Sequence, residues 1–236
     1  MTRRLWIADH AAGDRAYLTG DHALHLARVL RARKGQQFDI VAQGVVRIGT
    51  ILSIADDQVE FELGPAAEER SQMEIHTVVS IYKFDRFEWA IEKLTELGVS
   101  RVIPVVSRRT DPHLAKAAER RVERWRRIAH EAAQQSRRID PPEIVPPAAL
   151  AQTIQQIAGS RIVLSELEEN VSLKAVLAGC PTPLTLALGP EGGWTTEEAE
   201  GFRKAGWKAA SLGNTILRAE TAAIAAVAVV MAEISN

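Results

Sequence analysis

The feature that most constrains the fold is a pair of glycine-marked strand exits between Leu184 and Val230. The first is an apolar run, Leu184–Leu188, followed by Gly189-Pro190-Glu191-Gly192-Gly193. The second is Ala209-Ala210-Ser211-Leu212-Gly213, followed by an alanine-rich segment. Three glycines and a proline in five positions exclude regular structure and leave backbone that a ligand can approach closely. Two such loops predict a polar ligand site at the ends of two strands.

A helix is predicted directly after the first loop. Thr195 followed three residues later by Glu198 is a capping-box pattern, so the N-terminus of the helix faces the same space as the loop. Neither loop has the Gly-Lys-Ser/Thr of a Walker motif or the spacing of the Rossmann glycines, which disfavours a phosphate cradle. The alternative is an ordinary connection that needs glycines only for its turn.

The two loops together carry a family resemblance. Gly189-Pro190-Glu191-Gly192-Gly193 and Leu212-Gly213-Asn214-Thr215-Ile216-Leu217-Arg218-Ala219-Glu220-Thr221-Ala222 closely resemble the paired C-terminal motifs of the ribosomal RNA uridine-N3 methyltransferases, the small subunit methyltransferase E family. The resemblance implies an α/β fold with a C-terminal SPOUT domain, built on a parallel sheet with a trefoil knot, and a small N-terminal PUA-like β-barrel. It implies RNA binding by the barrel, residues 1–70, and methyl transfer by the SPOUT domain, residues 71–236.

The pattern of the first 70 residues agrees with a small β-barrel. Strands are predicted over Gln37–Ala42, Val45–Ile54 and Gln58–Leu63, and Asp21 is predicted to cap a helix over His22–Leu30. The polar segment Gly64–Gln72 opens with Gly-Pro and is predicted to be the linker between domains.

Strands and helices alternate in the rest of the chain. Strands are predicted over Ile75–Tyr82, Arg101–Val106, Arg161–Leu164 and Leu184–Leu188, with a helix from about Asp85 to Leu97 that ends before Gly98. This order predicts a parallel sheet, and ligands of such sheets bind beyond the carboxyl ends of the strands. A long helix over 114–138 carries an apolar stripe of Ala118, Val122, Trp125, Ala129 and Ala132, and a proline-rich connector follows over 139–147.

The net charge of −1 hides two basic segments. Residues 1–34 hold seven Lys or Arg against three Asp, a net of +4, and residues 107–138 hold ten against four acids, a net of +6. Both favour contact with RNA phosphates. For the first segment the alternative is a solvated face; for the second it is a solvated helix whose arginines pair with neighbouring carboxylates.

Composition narrows the class of protein further. The start of the chain does not resemble a signal peptide, and the longest apolar run, Thr221–Ala232, is shorter than a membrane span, so we expect a cytoplasmic protein without membrane contact. The single cysteine, Cys180, excludes an internal disulfide. His22 and His25 lie three apart but lack a third ligand, so no metal site is expected.

The resemblance also implies the site residues. S-adenosylmethionine is expected to be the cofactor, and the residues implied to bind it are Ser165, Leu188, Gly189, Pro190, Gly192, Gly193, Ser211, Leu212, Gly213, Ile216 and Leu217. The implied partners are small-subunit ribosomal RNA, naked or in the assembled subunit, and a second copy of the chain, since the final helix leaves the knot and helps to form a dimer. RNA contacts are expected from Arg4, Arg28, Arg31, Arg33, Lys34, Lys83, Gln135 and Arg138.

Methylation of uridine N3 sets a requirement for a cation. The N3 proton must leave before nitrogen is a good nucleophile, and the negative charge then spreads onto the flanking carbonyl oxygens. Arg218, the only charged residue of the second loop, is predicted to stabilise that charge. Glu220 either orients Arg218 or helps to remove the proton; the alternative is that it caps the final helix, which is expected to be buried all round.

Two other functions remain open at the level of sequence. One is a ribose 2′-O methyltransferase of the same knotted class, although the early Asn-x-Gly-x-x-Arg motif of those enzymes is absent. The other is a non-catalytic ribosome-assembly factor that binds RNA with the same barrel.

Overall fold

The protein is described by a computed structural model that covers residues 5–55, 57–66, 74–136, 138–168 and 170–234. Contacts divide the chain into two compact units, Met1–Ser71 with Arg137–Asp140 and Gln72–Ser136 with Pro141–Asn236. Each unit has its own sheet, so the fold is α/β with one mixed and one parallel sheet. Across these ranges, no helix combines the length and apolar character needed to cross a membrane.

The first unit is built on a six-stranded mixed sheet with the strand order β1-β4-β5-β6-β3-β2. The pair of β1 and β4 is parallel and the other pairs are antiparallel. Its core holds Leu18, Leu26, Ile40 and Phe61, all fully buried. The elements are β1 Leu5–Ile7, β2 His10–Ala12, β3 Arg15–Thr19, α1 Gly20–Leu24, a π-helical turn His25–Val29, β4 Gln37–Ala42, β5 Val45–Ile54 and β6 Gln58–Ala66.

The helix of this unit begins differently from the prediction. Asp21 is not the cap: Thr19 is the N-cap residue, and Asp21 lies in the first turn without a side-chain cap hydrogen bond. The Asp9 carboxylate holds the N-cap residue instead: it accepts hydrogen bonds from the Thr19 amide at 2.7 Å and from the Thr19 hydroxyl at 3.3 Å. The predicted single helix His22–Leu30 is an α-helical turn followed by a π-helical turn that ends at Val29, two residues before Arg31, whose φ is +50°.

The predicted linker is wrong at its first three residues. Residues 64–66 continue strand β6, where Ala66 pairs with Arg47 of β5. The Arg47 guanidinium holds this extension, since it donates hydrogen bonds to the carbonyls of Gly64 at 2.7 Å and Leu63 at 3.2 Å. A sequence pattern does not reveal such a cross-strand contact. The rest of the predicted linker, 67–72, lies outside the described residues.

The second unit is built on a sheet in which every strand pair is parallel. The strand order is β10-β8-β7-β12-β11-β13, and β9 also pairs with β8. The elements are β7 Ile75–Ser80, α2 Phe84–Glu96, β8 Arg101–Val106, α3 Pro112–Ala118, a 3-10 turn Glu119–Arg121, α4 Val122–Ser136, β9 Glu143–Ile144, β10 Ala148–Ala149, α5 Leu150–Gln156, β11 Ser160–Leu164, α6 Leu173–Leu177, β12 Leu184–Leu188, α7 Thr196–Lys204, β13 Lys208–Ala210 and α8 Ala219–Ile234.

Helices cover both faces of the parallel sheet. On one face, Phe87 of α2, Trp125 of α4 and Val227 of α8 join one apolar cluster. On the other face, Leu150 of α5 and Phe202 of α7 join a second cluster. Burial on both faces explains why β12 is a continuous run of buried residues and why the sequence shows no polar alternation there.

Two predicted helices of this unit are corrected. The long helix over 114–138 is broken into α3, the 3-10 turn and α4, although every residue of its predicted apolar stripe is buried. Helix α8 is not buried all round in the single chain, because Thr221 and Ala228 are exposed. The predicted connector over 139–147 also contains a short strand, β9, and the strand predicted over Ile75–Tyr82 ends at Ser80.

Candidate active site

A cleft of about 1110 Å³ lies at the carboxyl ends of the parallel strands. Strands β12, β11 and β13 are neighbours in the sheet, so the loops that follow them meet at one edge. All the residues predicted to bind the cofactor line this cleft, namely Ser165, Leu188, Gly189, Pro190, Gly192, Gly193, Ser211, Leu212, Gly213, Ile216 and Leu217. The two predicted glycine loops and the strand exit Leu164-Ser165-Glu166, which the resemblance implies as a third cofactor loop, all contribute residues to this cleft.

The loop after β12 is a tight turn that only glycine adopts easily. The Gly193 amide donates to the Pro190 carbonyl at 3.0 Å, and Gly192 and Gly193 have φ values of +97° and +74°. A Cβ on Gly193 would lie 2.5 Å from Oε1 of Glu166, so glycine also makes room for that carboxylate. Glu166 lines the cleft; the resemblance implies a third cofactor loop at Leu164-Ser165-Glu166 but assigns no binding role to Glu166 itself.

Hydrogen bonds connect the three loops. The Trp194 indole donates to the Leu164 carbonyl at 3.0 Å, which ties the glycine loop to the end of β11. The Ser165 amide donates to the Ala210 carbonyl at 3.0 Å, which ties the same strand end to β13. These two hydrogen bonds fix the glycine loop, the end of β11 and the end of β13 relative to one another.

The loop after β13 is closed by its own serine. The Ser211 hydroxyl accepts a hydrogen bond from the Gly213 amide at 3.1 Å, a turn typical of serine. Gly213 has a φ of +129°, and a Cβ placed on it would meet no atom within 4 Å. Ile216 follows with 85% of its surface exposed, an apolar side chain on the wall of the cleft.

The capping box is present as predicted. The Thr195 hydroxyl accepts from the Glu198 amide at 3.2 Å, and the Glu198 carboxylate accepts from the Thr195 amide at 2.9 Å. Helix α7 therefore starts directly after the glycine loop, with its first amides satisfied by its own residues.

Arg218 and Glu220, the predicted catalytic residues, differ in exposure and in their neighbours. Arg218 is exposed and lines the cleft, and its guanidinium makes no recorded hydrogen bond or ion pair within the described ranges. Glu220 is buried in the first turn of α8, and its Oε1 lies 3.8 Å from Nε of Arg86. Arg86 in turn donates from Nη1 to Glu191 Oε1 at 2.6 Å. The sequence did not identify Arg86, which lies more than a hundred residues before both carboxylates.

Tyr82 lies within the field of the same charges. Burial raises the pKa of its hydroxyl well above the usual value, the carboxylates of Glu220 and Glu191 raise it further, and Arg86 opposes them. The hydroxyl therefore stays protonated and is a hydrogen-bond donor throughout the neutral range. It is buried without a hydrogen-bond partner among the described residues.

The residues predicted to contact RNA do not share one surface of the second unit. Lys83 is exposed and lines the cleft beside Arg86. Gln135 lies in a different groove, between α2 and α4, whose lining includes the carboxylates of Glu92, Glu96 and Glu131. That surface repels phosphate more than it attracts it.

In the first unit, the predicted cations at the end of the π-helical turn form an exposed cluster, which we call the basic cluster: Arg28, Arg31, Arg33 and Lys34. The structure records no ion pair for these four side chains within its described ranges. Arg138 is half-buried; burial lowers the pKa of its guanidinium, and Asp140 opposes this. Arg4 lies outside the described residues.

The second basic segment of the sequence is largely paired with carboxylates. Arg121 and Arg124 both contact Glu88, at 3.3 and 2.9 Å, and Arg126 contacts Glu123 at 2.6 Å. This agrees with the alternative of a solvated helix with paired charges, and it leaves the basic cluster as the stronger electrostatic candidate for phosphate contact.

No group of three or more His, Cys, Asp or Glu that could hold a metal ion occurs within the described parts of the chain. His22 contacts Asp9 at 3.3 Å instead, and both His22 and His25 pack against the Trp6 ring.

The part of the chain that contains the parallel sheet and the cleft matches a known class of domain, that of RNA methyltransferases. The family model described as the RNA methyltransferase domain matches residues 69–231. The ribosomal RNA small subunit methyltransferase E of Synechocystis sp. is 32% identical, over 89% of this chain and 71% of the relative. That of Bacillus subtilis is 29% identical, over 90% and 88%. The chain belongs to the ribosomal RNA small subunit methyltransferase E family.

Solved structures agree with this assignment. A methyltransferase of Legionella pneumophila, solved in complex with its bound cofactor SAM, has a TM-score of 0.69 at 26% identity and covers 98% of each chain. The ribosomal RNA small subunit methyltransferase E of Neisseria gonorrhoeae, bound to S-adenosyl methionine, has a TM-score of 0.70 at 24% identity, over 96% of this chain and 95% of that one. At that identity the likeness concerns the fold.

Proposed function

We propose that the protein uses S-adenosylmethionine to methylate N3 of a specific uridine in small-subunit (16S) ribosomal RNA. The observation that carries this proposal is the cleft. Two glycine loops expose backbone there, and Arg218 lies at the wall without a recorded ion pair among the described residues. Membership of the methyltransferase E family supports the substrate class.

The residues of the cleft fit the cofactor. Gly192 and Gly213 present bare backbone, while Leu188, Leu212 and Leu217 supply apolar surface for an adenine ring. Glu166 adds a carboxylate beside Gly193, suited to hydroxyl or ammonium groups. When bound, S-adenosylmethionine supplies a methyl group on a positively charged sulfur, which a nucleophile attacks while the thioether leaves.

The role proposed for Arg218 follows from the chemistry of uracil. Loss of the N3 proton leaves negative charge on the two flanking carbonyl oxygens, and a guanidinium presents several donors in one plane. Arg218 is exposed to the cleft and has no recorded partner among the described residues, so its charge is available to the substrate. A preorganised donor of this kind acts most strongly on the transition state, where the charge develops.

Glu220 is proposed to support the same site from a buried position in the first turn of α8. Its carboxylate is buried and does not belong to the described lining of the cleft, which favours a supporting part over direct proton transfer from a substrate. Its recorded cationic neighbour is Arg86. We therefore assign it an electrostatic and structural part in the reaction.

For RNA binding we propose a PUA-like barrel over residues 1–70, and for catalysis a knotted SPOUT domain over 71–236. The mixed sheet of the first unit and the parallel sheet of the second support this division. The basic cluster, Lys83 and Arg138 are the proposed contacts to phosphates, with Arg4 and Gln135 proposed on the sequence alone. A ribosomal RNA substrate, naked or assembled into the small subunit, implies a protein of the cytoplasm.

Salt dependence tests the RNA contact. Binding of a small-subunit RNA fragment should weaken steeply with salt, and Arg31→Ala combined with Arg33→Ala should flatten the logarithmic slope by about 1.4 to 1.8, at roughly 0.7 to 0.9 for each phosphate that is no longer neutralised. Arg15→Ala is the matched control, because its guanidinium already lies 3.5 Å from Glu60. Fluorescence anisotropy across a salt series measures the slopes; equal slopes for the double variant and wild type would contradict the contact.

A homodimer through α8 is also proposed. Thr221 and Ala228 are exposed on a helix that is otherwise apolar except for Glu220 and Glu233 near its two ends, and small side chains let another chain approach closely. We expect Ala228→Arg to convert a dimer into a monomer in sedimentation velocity, because a charge would be buried at the interface. Ala151→Arg, on an exposed position of α5, is the control and should remain dimeric. A dimeric Ala228→Arg protein rules out this interface.

Calorimetry with S-adenosylmethionine tests the proposed function directly. Stoichiometric binding is expected from the wild-type protein, and its absence would favour a non-catalytic RNA-binding factor.

A further inference from the structure

Arg86 lies in the first turn of α2 and lines the cleft from a part of the chain remote from the glycine motifs. Its Nη1 is 2.6 Å from Oε1 of Glu191, in the middle of the glycine loop. Its Nε is 3.8 Å from Oε1 of Glu220, in the first turn of α8. One guanidinium therefore lies between two carboxylates, one in the first glycine loop and one directly after the second.

The two contacts differ in kind. The contact with Glu191 has the length of a strong charge-assisted hydrogen bond. The contact with Glu220 is within ion-pair distance but too long for a hydrogen bond. The Glu220 side chain is only 7% exposed, and its Oε2 has no hydrogen-bond partner among the described residues. A buried carboxylate of this kind depends strongly on a nearby cation.

The position of Glu220 also determines where Arg218 stands. Helix α8 begins at Ala219, between the two residues, and the Ala222 amide donates to the Arg218 carbonyl at 2.8 Å. A contact that fixes Glu220 therefore fixes the first turn of α8 and the backbone from which the Arg218 side chain leaves.

We infer that Arg86 is a positioning residue that clamps the glycine loop, through Glu191, to the start of α8, through Glu220, and so sets Arg218 relative to the cofactor. The inference rests on the proposed function of the cleft, since the proposed catalytic group is Arg218. Arg86 itself needs no contact with the substrate in this arrangement. Its guanidinium suits the task because the planar fork serves two carboxylates in different directions.

Arg86→Gln tests the clamp, because glutamine keeps a polar side chain but removes the charge and the fork. We expect the single-turnover methylation rate, at saturating S-adenosylmethionine and ribosomal RNA, to fall about 10- to 100-fold, as expected when a catalytic group is misplaced by about 1 Å. Arg86→Lys should recover part of the rate, since a point charge serves one carboxylate at a time. If Arg86 only stabilises the fold, Arg86→Gln should lower the melting temperature but leave the methylation rate of the folded protein unchanged.

Arg203→Gln is the matched control. Arg203 pairs with Glu200 at 2.7 Å on α7, and neither residue lines the cleft. We expect this variant to keep the wild-type rate and cofactor affinity. If Arg203→Gln loses as much rate as Arg86→Gln, loss of an ion pair anywhere in the unit explains the effect, and the clamp is overturned.

A double variant asks whether Arg86 acts through Glu220. If it does, Arg86→Gln combined with Glu220→Gln should lose little more rate than the larger single loss, because both changes remove the same contact. Losses that multiply, or an Arg86→Gln protein with the wild-type rate, overturn the inference.

Hydrogen exchange separates this inference from the proposed function. The amides of Gly189, of 191–193 and of 217–222 should exchange faster in Arg86→Gln than in Arg203→Gln, and this measurement requires no methylation. If the wild-type protein methylates no RNA, the proposed function fails. Separately, if both segments in Arg86→Gln are as protected from exchange as in the wild-type protein, the clamp is overturned.

Discussion

Arg218→Ala should lower the single-turnover rate of RNA methylation about 10²- to 10³-fold, the loss typical of removing one preorganised donor from a developing negative charge. The affinity for S-adenosylmethionine should change little, because none of the residues predicted from the sequence to bind the cofactor is charged, and their backbone and apolar groups are independent of Arg218. The structure supports a large effect, since Arg218 is exposed at the cleft and has no recorded ion pair within the described residues that would explain it as a packing residue.

Two further variants define the role of Arg218. Arg218→Lys should recover only part of the rate, because an ammonium lacks the planar donor geometry that suits two carbonyl oxygens. Lys208→Ala, an exposed cation on β13 outside the cleft lining, is the control and should be as active as wild type. Thermal melts and sedimentation accompany the rates. A stable, dimeric Arg218→Ala protein with a near-normal rate would contradict the catalytic role, and so would a rate loss that only follows a lower melting temperature.

Gly213→Val should abolish detectable binding of S-adenosylmethionine, and Gly192→Val should do the same. Both glycines have positive φ, at +129° and +97°, which a β-branched residue avoids at a cost of about 1–3 kcal/mol. A Cβ at Gly213 would meet no atom within 4 Å, and at Gly192 only Arg109 at an ordinary contact distance. The loop is therefore expected to change its path while the rest of the unit stays folded, and the valine methyl groups would occupy the space in which we propose that the cofactor approaches the backbone.

Gly179→Val separates strain from loss of the site. Gly179 has a φ of +71°, open space around its Cβ position and no place in the cleft lining. It should lose stability to a similar degree, measured by thermal melting, but bind S-adenosylmethionine with wild-type affinity in calorimetry. Unchanged cofactor affinity in a folded Gly192→Val or Gly213→Val protein would show that the cofactor binds elsewhere.

The central elements of the second unit could be predicted closely from sequence because several local patterns agree there. Strand β12 and strand β8 have the predicted bounds, since each is a short apolar run between turn residues. Helix α7 starts where the capping box of Thr195 and Glu198 predicts, because that motif satisfies the first amides of a helix from nearby residues alone.

Elements that depend on distant contacts could not be predicted in the same way. The helix start at Thr19 involves a carboxylate ten residues away, Asp9, while the local pattern favoured Asp21. The extension of β6 to Ala66 depends on Arg47 of the neighbouring strand. The exposure of Thr221 and Ala228 on α8 could not be predicted from composition, because an apolar helix at a surface can have the same residues as one in a core.

The site shows the same division. The glycine loops were predicted because neighbouring glycine and proline residues determine their conformation. Arg86 was missed because its partner Glu191 is 105 residues away, and its only local mark is its position shortly after a strand exit, beside Lys83. Glu166 was placed with Ser165 in a third cofactor loop by the resemblance, but its own role was not predicted, since that role depends on the space that Gly193 leaves for it.

Mapping of the methyl group tests the central claim most directly. Unmodified small ribosomal subunits and naked small-subunit RNA are incubated with the protein and methyl-labelled S-adenosylmethionine, and the nucleosides are then separated and identified by mass spectrometry against standards. The account predicts label in 3-methyluridine, at one position of the RNA, and none in the Arg218→Ala reaction on the same time scale. Label on a ribose 2′ oxygen, or no label in either substrate while S-adenosylmethionine binds, would contradict it.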